Sequence, residues 1–211
     1  MTKSEIVSTG TGDARITWHP ARKPRLVLAL GHGAGGGTEA RDLQALAAEL
    51  PADGVSVALV EMPWRVAGKK VAPAPKTLDA GWREVWPALA KGAVPVVAGG
   101  RSAGARVACR TAAELGARAV LALSFPLHPP GRPESSRAGE LLGAGLPTLV
   151  VQGGNDPFGK PGEFPDGTYT FVEVPFGDHS FAVPERAPLT QDDALGVITE
   201  GVRKWIGTLR E

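Results

Sequence analysis

Val94-Pro-Val-Val-Ala-Gly-Gly-Arg-Ser-Ala-Gly-Ala-Arg-Val-Ala-Cys109 changes character twice within a short stretch. Val94–Ala98 is apolar and β-branched, Gly99–Gly104 reads as a tight glycine turn, and Ala105–Leu115 reads as a helix. Ser102 sits in the turn, centred in the pattern G-x-S-x-G from Gly100 to Gly104. A strand that turns sharply into a helix holds such a serine in a strained backbone conformation with its hydroxyl exposed. Small residues two before and two after it let the neighbouring backbone approach. The N-terminus of the following helix favours negative charge developing beside it. The five-residue pattern alone is weakly specific, but between a strand and a helix it marks Ser102 as a nucleophile.

On both sides of this stretch, apolar strands alternate with helical segments. Residues 13–18 and Arg25–Leu30 read as strands, the second running into Gly31-His-Gly-Ala-Gly-Gly-Gly37. Leu43, Leu46, Ala47 and Leu50 stand at helical spacing, and Val55–Val60 is again a strand. Residues 65–76 are basic and Pro-rich and read as a surface loop, before a helix outlined by Leu78, Trp82, Val85, Trp86 and Leu89. Further strands are read at Ala119–Ser124, Pro147–Gln152 and Tyr169–Val174, with a short helix near Ala138–Leu142. Thr190-Gln-Asp-Asp193 resembles a capping box opening a helix striped by Leu195, Ile198, Val202, Ile206 and Leu209. Continuous apolar strands, each followed by a helix, imply a mostly parallel central sheet covered on both faces. The chain, 1–211, is expected to form a single domain; about 70% of the unfolded surface of a chain this size can be buried. Residues 125–146 form the one connection long enough for a lid, and it is short and polar, so no substantial cap domain is expected.

A serine hydroxyl needs a base, and the chain has four histidines. His19 reads as a surface residue, His32 as a shaper of the glycine loop, and His128 as an exposed residue before two prolines. His179, in Phe176-Gly-Asp-His-Ser-Phe181 after the last strand, is the favoured base. The base needs a carboxylate to fix its tautomer and stabilise the imidazolium. Asp156, in Gln152-Gly-Gly-Asn-Asp-Pro157, is the natural candidate, although the same position suits an Asx-turn. Asp178 is a rival, but adjacent residues rarely aim at one another, and Asp166 reads as a solvated turn residue. The order Ser102, Asp156, His179 is that of an α/β-hydrolase triad. An oxyanion hole would take one backbone N–H from Ala103 and one from the loop after Leu30, with Ala34 preferred and Gly33 next.

Gly31–Gly36 also matches G-x-G-x-x-G, with Glu61 near the place of a ribose-binding acid, so dinucleotide binding is a competing reading. It leaves Ser102, Asp156 and His179 unexplained, and strand signal already precedes the fingerprint. Cys109 and the pair Trp82 and Trp86 read as core, and Lys69 and Lys70 as a solvated loop. Arg101 and Arg106 flank the turn, where they could attract an anionic substrate or form surface ion pairs.

Lys and Arg number 23 against 22 Asp and Glu, a balance that offers no electrostatic reason for nucleic acid or an anionic membrane as partner. A single cysteine excludes an intrachain disulfide framework and a multi-cysteine metal site, and fits a reducing compartment. No apolar run suits a signal peptide or a membrane span, so a cytoplasmic location is expected.

Gly99–Arg106, Gly31–Gly36, Gln152-Gly…Asp156-Pro-Phe-Gly159 and Gly177–Phe181 together resemble a group of compact α/β-hydrolases related to dienelactone hydrolase. More narrowly, they resemble the branch holding the testis-expressed hydrolase-like protein and the hydrolase-like subunit of the NSL acetyltransferase complex. The resemblance implies a lidless α/β-hydrolase fold with Ser102, Asp156 and His179 at the triad positions; the chemistry expected of these residues needs no metal or organic cofactor. It names no substrate, and some relatives in that branch serve as interaction modules. Dienelactone hydrolases carry a cysteine where this chain has Ser102. The expected activity is hydrolysis of an ester, thioester or similar acyl bond in a small substrate, with a non-catalytic binding or scaffold protein as the alternative.

Overall fold

The computed structural model describes residues 2–209; Met1, Arg210 and Glu211 lie outside the described residues. Eight strands form one sheet: β1 (Lys3–Thr9), β2 (Gly12–His19), β3 (Leu26–Gly31), β4 (Val55–Glu61), β5 (Val96–Arg101), β6 (Ala119–Leu123), β7 (Thr148–Gly153) and β8 (Thr170–Val174). Their order is β1-β2-β4-β3-β5-β6-β7-β8. The β1–β2 and β2–β4 pairings are antiparallel, and every pairing from β4 to β8 is parallel.

Six helices accompany the sheet among the described residues: α1 (Arg41–Glu49), α2 (Pro63–Val66), α3 (Pro75–Leu89), α4 (Ala103–Thr111), α5 (Ala138–Leu142) and α6 (Gln191–Thr208). Successive strand residues face opposite ways, so the parallel strands feed two cores. Leu28, Leu30 and Val97 join α1 and α6 on one face. Ala29, Val96 and Ala98 join α3, α4 and α5 on the other. Both faces are covered, and this is why these strands are apolar at every position rather than at alternate ones. Each fully buried Leu or Ile on either side contributes roughly 1.5–3 kcal/mol by leaving water.

The expected alternation of strands and helices is present, with four differences. β1 has no counterpart in the sequence reading: it is a half-exposed edge strand whose side chains are mostly polar, with Ser4, Ile6 and Ser8 facing solvent and Glu5 accepting from the Trp18 indole. The 65–76 loop begins with the tail of α2, which has Pro63 at its first position and buries Trp64. Gly99 and Gly100 belong to β5 instead of forming a turn, because only the absence of a Cβ lets β6, β3 and α4 come so close. The buried stripe of α6 runs through Ala194, Ile198, Val202, Trp205 and Ile206, with Leu195 and Leu209 at its margins. Thr190 and Asp193 exchange capping bonds at its start, as the sequence indicates. Among the described residues, no helix is long and apolar enough to cross a membrane.

Candidate active site

β5 ends at Arg101 and α4 begins at Ala103, leaving a single residue, Ser102, to make the turn. Its φ of 53° and ψ of −110° are a conformation that side chains rarely adopt. Two close backbone approaches enforce it. A Cβ at Gly100 would lie 2.7 Å from the Gly31 oxygen, and one at Gly104 would lie 2.5 Å from the same atom. The Ser102 N–H donates to the Leu123 oxygen at 2.9 Å, fastening the turn to β6. The Ser102 hydroxyl does not cap α4, so it is available elsewhere.

It meets His179. Ser102 Oγ and His179 Nε2 are 2.9 Å apart, and His179 Nδ1 is 2.8 Å from Asp156 Oδ2. Asp156 follows β7 and is fully buried; its Oδ2 also accepts from Gln152 Nε2 at 2.8 Å, and its Oδ1 accepts from the Phe158 N–H at 2.8 Å. The last bond is an Asx-turn, so one carboxylate serves the local turn and the histidine with different oxygens. The loops carrying these two residues are tied by backbone bonds of 2.9 Å from Gly154 to Val174 and from Asn155 to Gly177. Phe158 stacks on His179 with ring centroids 4.1 Å apart, limiting the ring's rotation. Asp178 is turned away, accepting from the N–H groups of Ser180 and Ala182, and Asp166 is exposed.

Ser102, Ala103, Gly33, Ala34 and His179 all line an open cleft of about 840 Å³. Ala103 is the first residue of α4, so its N–H is among those that no helical carbonyl satisfies. On the facing loop, His32 is buried and receives the Met62 N–H on Nε2 at 3.1 Å. Its Nδ1 must then carry the proton, which it donates to the Gly33 oxygen at 2.8 Å. Burial holds the His32 imidazole below the ordinary histidine value, in keeping with this neutral tautomer.

A family model described as an alpha/beta hydrolase domain matches residues 22–207. The chain belongs to the α/β-hydrolases. Solved structures of other members share its fold. A serine hydrolase without a lid from Xanthomonas campestris is 20% identical, with a TM-score of 0.71 over 97% of this chain and 94% of that one. A dienelactone hydrolase from Anabaena variabilis is 19% identical, with a TM-score of 0.74 over 100% and 99%. Est1E from Butyrivibrio proteoclasticus is 14% identical, with a TM-score of 0.72 over 97% and 99%. At these identities the likeness is one of fold. No curated protein matches the chain.

Within this α/β-hydrolase, Gln152 escaped the sequence reading, and the contacts of Arg101 and Arg106 are resolved only by the structure. Gln152 is fully buried and bridges Asp156 to the Gly159 oxygen; its one signal is an amide ending the apolar run of β7. Arg101, expected either to attract an anionic substrate or to form a surface ion pair, turns to the histidine loop: its Nη2 donates to the His179 oxygen at 2.6 Å and to Ser180 Oγ at 3.2 Å. Its Nε lies 3.5 Å from Oδ1 of the fully buried Asp42 at the start of α1. Burial raises the Asp42 pKa and Arg101 opposes that rise; through these contacts Arg101 touches the serine turn, the histidine loop and α1. Arg106 forms a two-pronged ion pair with Glu140, at 2.7 and 2.6 Å.

His128 is buried, not exposed: Phe125–His128 continue inward from β6, and the His128 N–H donates to the Phe158 oxygen. Cys109 packs in the core of α4, where burial pushes its thiol up to about 12 and makes it inert. Trp82 and Trp86 are core as well. The dinucleotide fingerprint does not open a helix directly, since α1 starts only at Arg41, and Glu61 is paired with Arg15 at 2.7 Å.

Proposed function

We propose that this α/β-hydrolase cleaves an ester, thioester or similar acyl bond of a small substrate, with Ser102 as nucleophile, His179 as base and Asp156 as its orienting acid. One observation carries the reading: a serine at an unfavourable φ, in a cleft, hydrogen-bonded to a histidine whose other nitrogen meets a buried carboxylate. Ser102 Oγ attacks the acyl carbon as His179 Nε2 takes its proton, and Asp156 steadies the imidazolium. The tetrahedral oxyanion is held by backbone N–H groups and the start of α4. Collapse releases the alcohol or thiol, which leaves with the proton from His179. Water, deprotonated by the same histidine, then cleaves the acyl-enzyme and restores Ser102.

Two features support Ala103 and Ala34 as the oxyanion donors. The Ala103 N–H is free of the helix ladder. His32 holds the Gly33 carbonyl, and a trans peptide turns the Ala34 N–H the opposite way. Gly33, preferred after Ala34 on sequence, packs closely on Ser102 instead, where a Cβ would lie 3.4 Å from the serine Cβ. Kinship with the branch of the testis-expressed and NSL-complex hydrolase-like proteins is part of the same proposal and rests on the Gly99–Arg106 and Gly177–Phe181 motifs. Est1E is known with ferulic acid bound, which makes small aromatic esters reasonable first substrates to assay.

A fluorophosphonate probe tests the assignment. Labelling of the native protein that vanishes in Ser102→Ala, together with turnover of short p-nitrophenyl esters that falls by at least about a thousandfold in the same variant, is the expected result. Absence of both labelling and turnover overturns it in favour of a non-catalytic protein with this fold.

A further inference from the structure

The walls of the cleft carry more guanidinium than carboxylate. Glu140 is taken by Arg106 and also by Arg110, which reaches Asp79 as well. Asp42 is taken by Arg101, and Glu39 by Arg65 at 3.2 Å. Among the described residues, two arginines lining the cleft are left with no carboxylate partner, Arg41 and Arg137. Arg41 is exposed, donates to the Gln191 amide, and is screened by water.

Arg137 is held differently. It is half-buried and caps the start of α5; its backbone N–H donates to the Leu127 oxygen at 2.7 Å and its Nη1 to the Pro126 oxygen at 3.0 Å. That side-chain bond occupies one of the donors in the guanidinium fork. Burial and the neighbouring Arg106 press its pKa downward against the weaker opposite pull of Glu140, which is bonded to Arg106 and Arg110 and not to Arg137, and a guanidinium stays charged at neutral pH. A fixed, partly desolvated cation on the wall of a cleft is a place for an anion. A planar fork suits a carboxylate, which it can bind in two-pronged fashion. A single such cation matches a monoanion better than a phosphate dianion.

We propose that the substrate is an ester or thioester that also bears a carboxylate, and that Arg137 receives this carboxylate while Ser102 attacks the acyl carbon. The inference rests on the hydrolase reading above and adds the substrate class to it. Arg137 then discriminates among substrates without joining the bond-breaking step, and its effect falls mainly on KM.

The test uses two matched pairs of esters. One pair, 4-acetoxybenzoate and its methyl ester, places the charge on the leaving group. The other, mono-4-nitrophenyl adipate and its methyl ester, places it on the acyl group. In one pair at least, the anionic ester is expected to be favoured in kcat/KM by roughly tenfold, the worth of a charge-assisted hydrogen bond. Arg137→Gln brings that ratio near one, Arg137→Lys keeps part of it, and added salt weakens it. Arg132→Gln, at an exposed arginine of the same segment, keeps the wild-type ratio. No preference in either pair, a ratio unmoved by Arg137→Gln, or an equal loss in Arg132→Gln overturns the inference while leaving the hydrolase reading intact. Failure to turn over any ester, with no fluorophosphonate labelling of Ser102, overturns both.

Discussion

Two glycine-rich segments leave the ends of neighbouring strands, Gly31–Gly37 after β3 and Gly99–Gly104 around the end of β5, and their glycines serve opposite purposes. At Gly100 and Gly104 a Cβ would strike backbone atoms, whereas at Gly35 and Gly36 it would meet nothing within 4 Å. The second segment is therefore a point of closest packing, where β5, β3 and α4 touch through bare backbone and force Ser102 to a φ of 53°. The first is held at its root by buried His32 and by Gly33 against Ser102, and is closed at its end by the Gly37 N–H donating to Glu39, so it is open only at Gly35 and Gly36. Glycine content is the same signal in both segments; the distance to the neighbouring backbone separates them.

Substitutions that disturb one segment more than the other sharpen this contrast. The largest effect is expected from Arg101→Met, which leaves the buried Asp42 carboxyl without a cationic partner and removes the bonds to the His179 oxygen and Ser180, and should cost about 3–5 kcal/mol in urea unfolding. Adding Asp42→Leu to that variant should recover much of the loss, because the uncompensated carboxylate is then gone. Equal destabilisation of the single and double variants would show that Arg101 stabilises through its bonds to the His179 loop and its packing, and not through Asp42.

Next comes Gly100→Ala, whose methyl group meets the Gly31 oxygen and the Gly104 backbone at 2.7 Å. A loss of about 1–3 kcal/mol, with a fall in Ser102 labelling, is expected from this overpacking. An unfolding midpoint equal to wild type would break the account of the serine turn as packing-enforced.

His32 gives the open loop a pH dependence. Burial keeps its folded pKa below 6.5, while in the unfolded chain it takes up a proton near that value. As pH falls through 6.5 the unfolded state binds the proton first, so stability drops below that pH and is level above it. His32→Asn should be less stable than wild type near neutrality and should lose less on acidification, as measured by urea unfolding at about pH 7.5 and about pH 5.5. The smallest effect belongs to Gly36→Ala, which should lie between no change and a gain of about 0.5 kcal/mol, since the added Cβ finds open space.

The legibility of the molecule follows the range of its interactions. The central parallel strands and long helices were readable because burial on both faces of a sheet, or on one side of a helix, repeats at fixed spacing along the chain. β1 was not, since an edge strand with one wet face has no such run of apolar residues. Ser102 was readable because the glycines that allow its turn, Gly100 and Gly104, are its own neighbours, although the Gly31 backbone that enforces it comes from β3. His179 and Asp156 could be nominated from the chain order, but the bonds among the three join residues 77 and 23 positions apart. The inward turn of His128 was misread because two following prolines signal a bend but not its direction.

By itself, the sequence determined the alternation of strand and helix, the glycine-flanked Ser102 between them and the chain order of Ser102, Asp156 and His179, because hydrophobic periodicity and glycine placement are written along the chain. Only the tertiary structure decided which of the arginines lining the cleft are paired with carboxylates and which, Arg41 and Arg137, are not. Charge pairing depends on side chains that meet through space, from elements the chain order keeps apart.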